Sequence, residues 1–117
     1  MAPGSAIVMT GSVTGIEVSK HLRLFHDQGR HPRLRPLALR LADPQGHPGD
    51  VVAPSPVWTP LNQAGGPPEK VARLGSQTPM KRPAQPEEIA PAFVFLASPQ
   101  TSSYITGEIP PIIGGYG

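Results

Sequence analysis

Residues 51–59 read Val51-Val52-Ala53-Pro54-Ser55-Pro56-Val57-Trp58-Thr59, three apolar side chains followed at once by two prolines in three positions. Consecutive small or β-branched apolar residues with no polar alternation predict a strand covered on both faces, as in a parallel sheet. Pro54, Pro56 and Pro60 lack the amides that a continuing ladder needs, so the chain must leave the sheet there as a loop. Just upstream, residues 43–50 (D-P-Q-G-H-P-G-D) are a run of turn formers. Further back, Ser5-Ala6-Ile7-Val8-Met9-Thr10 has the length and glycine flanks of a second buried parallel strand, and Leu34–Ala42 offers apolar positions at helical spacing although Pro36 limits its start.

Downstream, the sharpest pattern begins at Pro86. Proline suits the first helical position, Glu87 and Glu88 complement the positive end of the helix dipole, and Ile89, Ala92, Phe93 and Leu96 recur at i, i+3, i+4, i+7. This predicts a helix buried on one face, bent where Pro91 removes an amide. Between the two elements, residues 60–80 read as an exposed loop or lid with one helical turn around Glu69–Leu74. After a turn over Ser98–Ser103, Glu108-Ile109-Pro110-Pro111-Ile112-Ile113 is a strand pattern broken by two prolines, which a central strand should not contain.

Composition limits what surrounds these elements. A length of 117 residues accommodates one small core, so a single partial domain is expected over 1–117. Its 17 prolines and 13 glycines are about a quarter of the chain, twice the average share, and they crowd into irregular segments. The net charge of +2 is mild, and the cluster Arg30, Arg33, Arg35 and Arg40 has no interleaved aromatics, which argues against nucleic acid as a partner. The chain has no cysteine, hence no disulfide framework and no thiolate metal site, which suits a reducing cytoplasm. No apolar run is long enough to span a membrane and no leader pattern is present.

Two motifs invite a reading that their neighbours oppose. Thr10-Gly11-Ser12-Val13-Thr14-Gly15-Ile16 follows a strand and has the spacing of a phosphate-cradling turn. Glu17, however, stands where close approach needs a glycine and would repel phosphate, and too little chain separates Gly15 from Pro54 for a nucleotide-binding half. The same residues therefore read as a strand followed by an active-site loop. His21, His26 and His31 recur every five residues, which on a helix turns each about 140° from the last, so they would not converge on a metal, and no metal site is expected.

From Val51 onward the chain resembles the C-terminal half of a short-chain dehydrogenase/reductase. Residues 51–59 match that family's V-x-A-P-G-P-V-x-T segment, with Ser55 in place of glycine. Arg82-Pro83-Ala84-Gln85-Pro86-Glu87-Glu88-Ile89-Ala90, ending in Phe95-Leu96-Ala97-Ser98, is similar to its R-x-x-x-P-E-E-I-A helix. Ser103-Tyr104-Ile105-Thr106-Gly107 and Gly114-Gly115 resemble its S-x-Y-I-T-G and closing G-G. The resemblance implies an α/β fold, a partial Rossmann-type parallel sheet lacking the first four strands, with Ser5–Thr10 as the fifth strand. It further implies that Gly11-Ser12-Val13 aligns with the segment carrying the catalytic serine.

The same alignment puts Phe25 thirteen residues after Ser12, where the family has tyrosine, and Gly29 where it has lysine. Phenylalanine has no proton to give and glycine no ammonium to depress a tyrosine pKa. Arg23–Leu34 (R-L-F-H-D-Q-G-R-H-P-R-L), read one base later with suitable synonymous codons, permits D-Y-S-T-T-K-G-A-I-H-A-F, a family Tyr-x-x-x-Lys segment. Pro44–Gly49 (P-Q-G-H-P-G) read the same way permits R-K-G-I-R-V, the family's approach to its sixth strand. Compensating insertions and deletions are therefore expected, with residues 23–50 largely out of frame and irregular.

By resemblance, the intact relative transfers a hydride between NAD or NADP and a small carbonyl or alcohol. Ser12 would hydrogen-bond the substrate oxygen; Pro54, Val57 and Thr59 would grip the nicotinamide amide, Val57 through its backbone and Thr59 through its hydroxyl. This chain is expected to bind no cofactor and to be inactive as written. A noncatalytic homo-oligomerisation or interaction module, using the helix from Pro86 and the last strand, and a disordered proline-rich binding segment remain the alternatives.

Overall fold

A computed structural model describes residues 2–12 and 46–115. Among them, β1 (Ile7–Thr10), β2 (Gly49–Pro54) and β3 (Pro111–Ile112) form a parallel sheet in the order β1-β2-β3. Ile7 faces Gly49 and Thr10 faces Val52 in the first pair; Ala53 faces Pro111 in the second. The partial parallel α/β sheet read from residues 51–59 is thus present.

Val51, Val52 and Ala53 have no exposed surface. Burying a valine side chain stabilises by about 1.5–3 kcal/mol, which is why the run can only be a central strand. The strand starts at Gly49, two residues inside the stretch expected to be irregular. Thr106 Oγ1 accepts the Gly49 amide at 3.1 Å and the Gly49 carbonyl accepts the Gly107 amide at 2.9 Å, so the returning chain holds that start in register.

The helix read from Pro86 is α3 (Pro86–Ala97), with α1 (Pro60–Ala64), α2 (Pro68–Ala72) and α4 (Pro99–Ser102) as short companions. Ile89 and Leu96 are buried and pack with Val52; Val8, Val57, Ala92, Phe93, Ile105 and Ile112 close around them. The helix runs on through Pro91, which is exposed, as is Glu87, whose carbonyl loses its amide partner to the proline. Ser102, also buried, places Oγ 3.0 Å from the carbonyls of Leu96 and Ser98 and so closes the helix end.

Three expectations need correction. Residues 60–80 hold a second short helix besides the turn read around Glu69–Leu74, which is α2: α1 was not expected, and both begin on a proline that presets φ and bury no residue. The run Ser5–Thr10 yields a strand that is half-buried at Ile7 and Val8 and exposed at Met9 and Thr10, because β1 pairs on one side only among the described residues. The last strand shrinks to two residues: Pro110 gives its carbonyl to Ala53 but has no amide to return, and β3 takes an edge, where Pro111 is tolerated. The helical pattern at Leu34–Ala42, the three histidines, Phe25 and Gly29 lie outside the described residues.

Leu61, Val94 and Tyr104 are 82%, 69% and 101% exposed, beside a core whose buried apolar members are Val51, Val52, Ala53, Ile89 and Leu96 among the described residues. Such a balance of wet to buried apolar surface predicts weak cooperativity. The purified chain should melt without a sigmoidal transition in circular dichroism and give poorly dispersed amide signals; a sharp, dispersed NMR spectrum with a cooperative melt would contradict this.

Candidate functional site

All three strands run the same way, so their carboxyl ends share one edge of the sheet, the edge at which open α/β sheets bind ligands. Ser12 is there. The Gly11 amide bonds the Val52 carbonyl at 2.7 Å, which carries pairing one residue past β1 and delivers exposed Ser12 to the rim. Pro54 is the last residue of β2 on the same rim, and the chain beyond it holds Val57 and Thr59. The structure puts Ser12 and Pro54 at the carboxyl ends of neighbouring strands, with Val57 and Thr59 in the loop that follows Pro54; Phe25 and Gly29 lie outside the described residues.

The loop after Pro54 is fixed from two sides. Residue 57 bridges residue 84 in parallel fashion: Ala84 donates to the Pro56 carbonyl at 3.0 Å and Trp58 to the Ala84 carbonyl at 2.8 Å. In such a bridge the amide of Val57 itself points to the opposite side, so it is not used to hold the loop. The Val57 carbonyl accepts the side-chain amide of Asn62 at 2.7 Å, and the same nitrogen lies 3.4 Å from Thr59 Oγ1. Thr59 is the N-cap of α1 but its hydroxyl makes no capping bond. Ser55, which replaces a glycine of the resembling motif, costs no backbone strain: Lys81, at φ 56°, is the non-glycine residue with positive φ among the described residues. The Ser55 amide bonds the Ile112 carbonyl at 2.9 Å.

Ala84 is held in turn by the N-terminus of α3. The Arg82 guanidinium grips Glu88 with two bonds of 2.7 Å, and Glu88 Oε2 also accepts the Gln85 amide at 2.8 Å. A fork of this kind fixes direction as well as distance. Gly75, at φ +75°, presses against the other side of the same strip, where an added Cβ would lie 2.3 Å from the backbone of Arg82 and Pro83. Sequence reading assigned Glu88 only to the helix dipole. The signal for the rest was its place three residues after Gln85, the spacing at which a glutamate reaches back to cap a helix.

Among the described residues no group of histidine, cysteine, aspartate or glutamate side chains is placed to hold a metal, and no helix is long and apolar enough to cross a membrane. A cavity of about 80 Å³ is lined by Ser55, Met80, Arg82, Ala84, Glu88, Ile112 and Gly114. What the rim offers chemically is an exposed hydroxyl, an unspent amide and a second hydroxyl, groups that orient a polar ligand rather than activate it.

Comparison with known proteins follows the same outline. The family model described as enoyl-(acyl carrier protein) reductase matches residues 1–117. The chain is 54% identical over 111 residues to the glucose and ribitol dehydrogenase homolog 2 of Arabidopsis thaliana, covering 93% of this chain and 38% of that protein. Among solved structures, BdcA in complex with NADPH superposes with a TM-score of 0.73 at 33% identity, over 100% of this chain and 48% of that one. A protein described as a short chain dehydrogenase/reductase family member gives 0.64 at 28% identity, over 94% and 44%. The chain thus spans less than half the length of these relatives.

Glu88 supplies a pH test. The bonds from Arg82, then that from the Gln85 amide, lower its pKa from 4.5 to about 2. A carboxylate stabilised when folded contributes fully above its unfolded pKa, and the contribution is lost as pH falls through the folded value. Protection of the Arg82–Glu88 segment in hydrogen exchange should therefore fall between pH about 4.5 and about 2, and Glu88→Gln should flatten that dependence; an unchanged profile in the variant would disprove the role.

Proposed function

The chain belongs to the short-chain dehydrogenase/reductase family, and we propose that it is the C-terminal part of an NAD(P)-dependent oxidoreductase, inactive as written. The reading is supported by Ser12 and Pro54, which lie at the carboxyl ends of β1 and β2 with Val57 and Thr59 in the loop beyond, and by Phe25 and Gly29, which stand where the resemblance calls for a proton donor and its activating cation.

In the whole protein the residues would divide the work. Ser12 would donate a hydrogen bond to the carbonyl oxygen of the substrate, polarising it. Val57, through its free-facing amide, and the Thr59 hydroxyl would bind a carboxamide, the polar group of a nicotinamide ring. Asn62 and the Arg82–Glu88 fork would hold that loop still by the contacts already described. Bound NAD or NADP would supply the hydride; the proton needs a hydroxyl of tunable pKa, which phenylalanine at position 25 does not provide. The residues of this chain fit the nicotinamide end of the cofactor. No glycine-rich turn of the kind that takes a pyrophosphate is found among the described residues, so affinity for the dinucleotide is proposed to be negligible. The substrate is a small carbonyl or alcohol, and the cytoplasm is the proposed location, consistent with a chain free of cysteine.

A second reading is favoured by one feature. Val94 and Phe95 stand 69% and 45% exposed on the outer side of α3, an apolar pair that an interaction module would use. Sedimentation of the chain as a dimer or higher species would support it.

Removal of a positioned acid or base typically costs about 10²–10⁴ in rate, and loss of cofactor binding lowers it further. The purified chain should show no NAD(P)H turnover above a boiled control with any carbonyl substrate; detectable turnover would refute inactivity. A gene restored at both out-of-frame stretches and supplied with a family N-terminal half should regain cofactor-dependent carbonyl reduction, whereas the restored chain alone should not.

A further inference from the structure

The chain makes one close approach that its backbone hydrogen bonds do not explain. Gly75 is buried at φ +75°, and a Cβ placed on it would lie 2.3 Å from the backbone of Arg82 and Pro83. The two strips are therefore in direct contact, with no side chain between them. Yet among the described residues no backbone hydrogen bond joins residues 73–77 to residues 82–84. The Ala84 amide goes across to Pro56, and Pro83 has no amide to give.

Thr78 supplies what the backbone lacks. Its Oγ1 lies 2.9 Å from the Gly75 carbonyl oxygen and 3.3 Å from that of Arg82. One hydroxyl proton is shared between two acceptors, and among the described residues it is the hydrogen-bonding group that spans the contact. The turn between them is bent to suit. Lys81 donates its amide to the Thr78 carbonyl at 2.9 Å and sits at φ 56°, in the left-handed region that residues with a side chain avoid. A residue stays there only when its surroundings over-determine it, and this reversal is what returns the Arg82 carbonyl to the Thr78 hydroxyl. The Gly114 carbonyl anchors the same turn through the Met80 amide at 3.2 Å.

We infer that Thr78 is a positioning residue for the loop Pro54–Thr59, acting through Arg82 and Ala84 and touching no ligand itself. Without its hydroxyl, two carbonyl oxygens are left close together with no donor between them. As residue 82 shifts, its guanidinium loses alignment with Glu88, and Ala84 loses its bonds to Pro56 and Trp58. The consequence for a nicotinamide rests on the proposed dehydrogenase reading; the mechanical link does not.

Two variants of the full chain test it: Thr78→Val keeps the branched shape and removes the hydroxyl, and Thr78→Ser keeps the hydroxyl. In the valine variant, amide exchange at Trp58, which bonds Ala84, should quicken about fivefold, the effect of losing one neutral hydrogen bond. Fluorescence of Trp58, the single tryptophan of the chain, should become more open to acrylamide quenching. The Glu88 carboxyl, lowered from 4.5 to about 2 chiefly by its bond to Arg82, should titrate closer to 4.5. The serine variant should match the unsubstituted chain in each readout, and exchange at Val51–Ala53 should be the same in all three proteins. A valine variant that behaves as the unsubstituted chain, a serine variant as damaged as the valine one, or equal loosening at Val51–Ala53 would each overturn the inference. Cofactor enters none of these readouts, so such a result would leave the dehydrogenase reading standing. Turnover absent from a restored whole enzyme would count against that reading and not against Thr78.

Discussion

Everything else in the structure leans on the burial of β2. Its three central side chains have no exposed surface, and it is bonded along both edges, to β1 through the Ile7–Thr10 register and to the 108–112 segment through the amides of Val51, Ala53 and Ser55. A strand used on four sides has no freedom in register, because a shift of one residue would move each side chain to the opposite face and break two ladders at once. The carboxyl rim therefore has a defined position, and with it Ser12 and the loop after Pro54. The rim's chemistry inherits its precision from the strand beneath it.

Support for the loop comes from a different quarter. The path runs from the N-terminus of α3 through the Glu88 carboxylate to Arg82, along the backbone to Ala84, and across the bridge to Val57. Apart from the covalent stretch from Arg82 to Ala84, each step is a directional hydrogen bond, where β2 relies on apolar burial. The exposed ion pair by itself contributes little to stability. Its value lies in geometry: with the Ala84 strip fixed, the Val57 amide is left facing away from the bridge, and Asn62 holds the carbonyl. Gly75 permits this closeness, since any side chain there would collide with the backbone it lies against.

The sequence made the strand at residues 51–54 and the helix at 86–97 legible because both express their burial as a pattern, a continuous apolar run in one case and a 3.6-residue repeat in the other. The short helix α1 left no such trace and α2 showed only as a helical turn around Glu69–Leu74, since neither has a buried residue to place. The half-exposure of β1 was not legible either: composition tells what a strand could bury, whereas exposure depends on how many neighbours it has. Of the candidate site, Ser12, Pro54, Val57 and Thr59 were reachable from motif resemblance; Ser12 and Pro54 lie at strand ends and the other two in the loop beyond Pro54. Asn62 and Arg82 were not, because their roles are contacts across the fold, with Glu88 the partial exception through its capping interval.

The distinction between packing and chemistry also explains how a chain can belong to an oxidoreductase family while holding so few of the groups that do the work. Similarity is scored over many positions, and most of them, like Val52, Ile89 and Leu96, are held by volume and apolarity. Catalysis depends on single atoms: a phenolic oxygen at one position and an ammonium at another. The shifted frame proposed for residues 23–50 would delete the second kind of information completely and the first only locally.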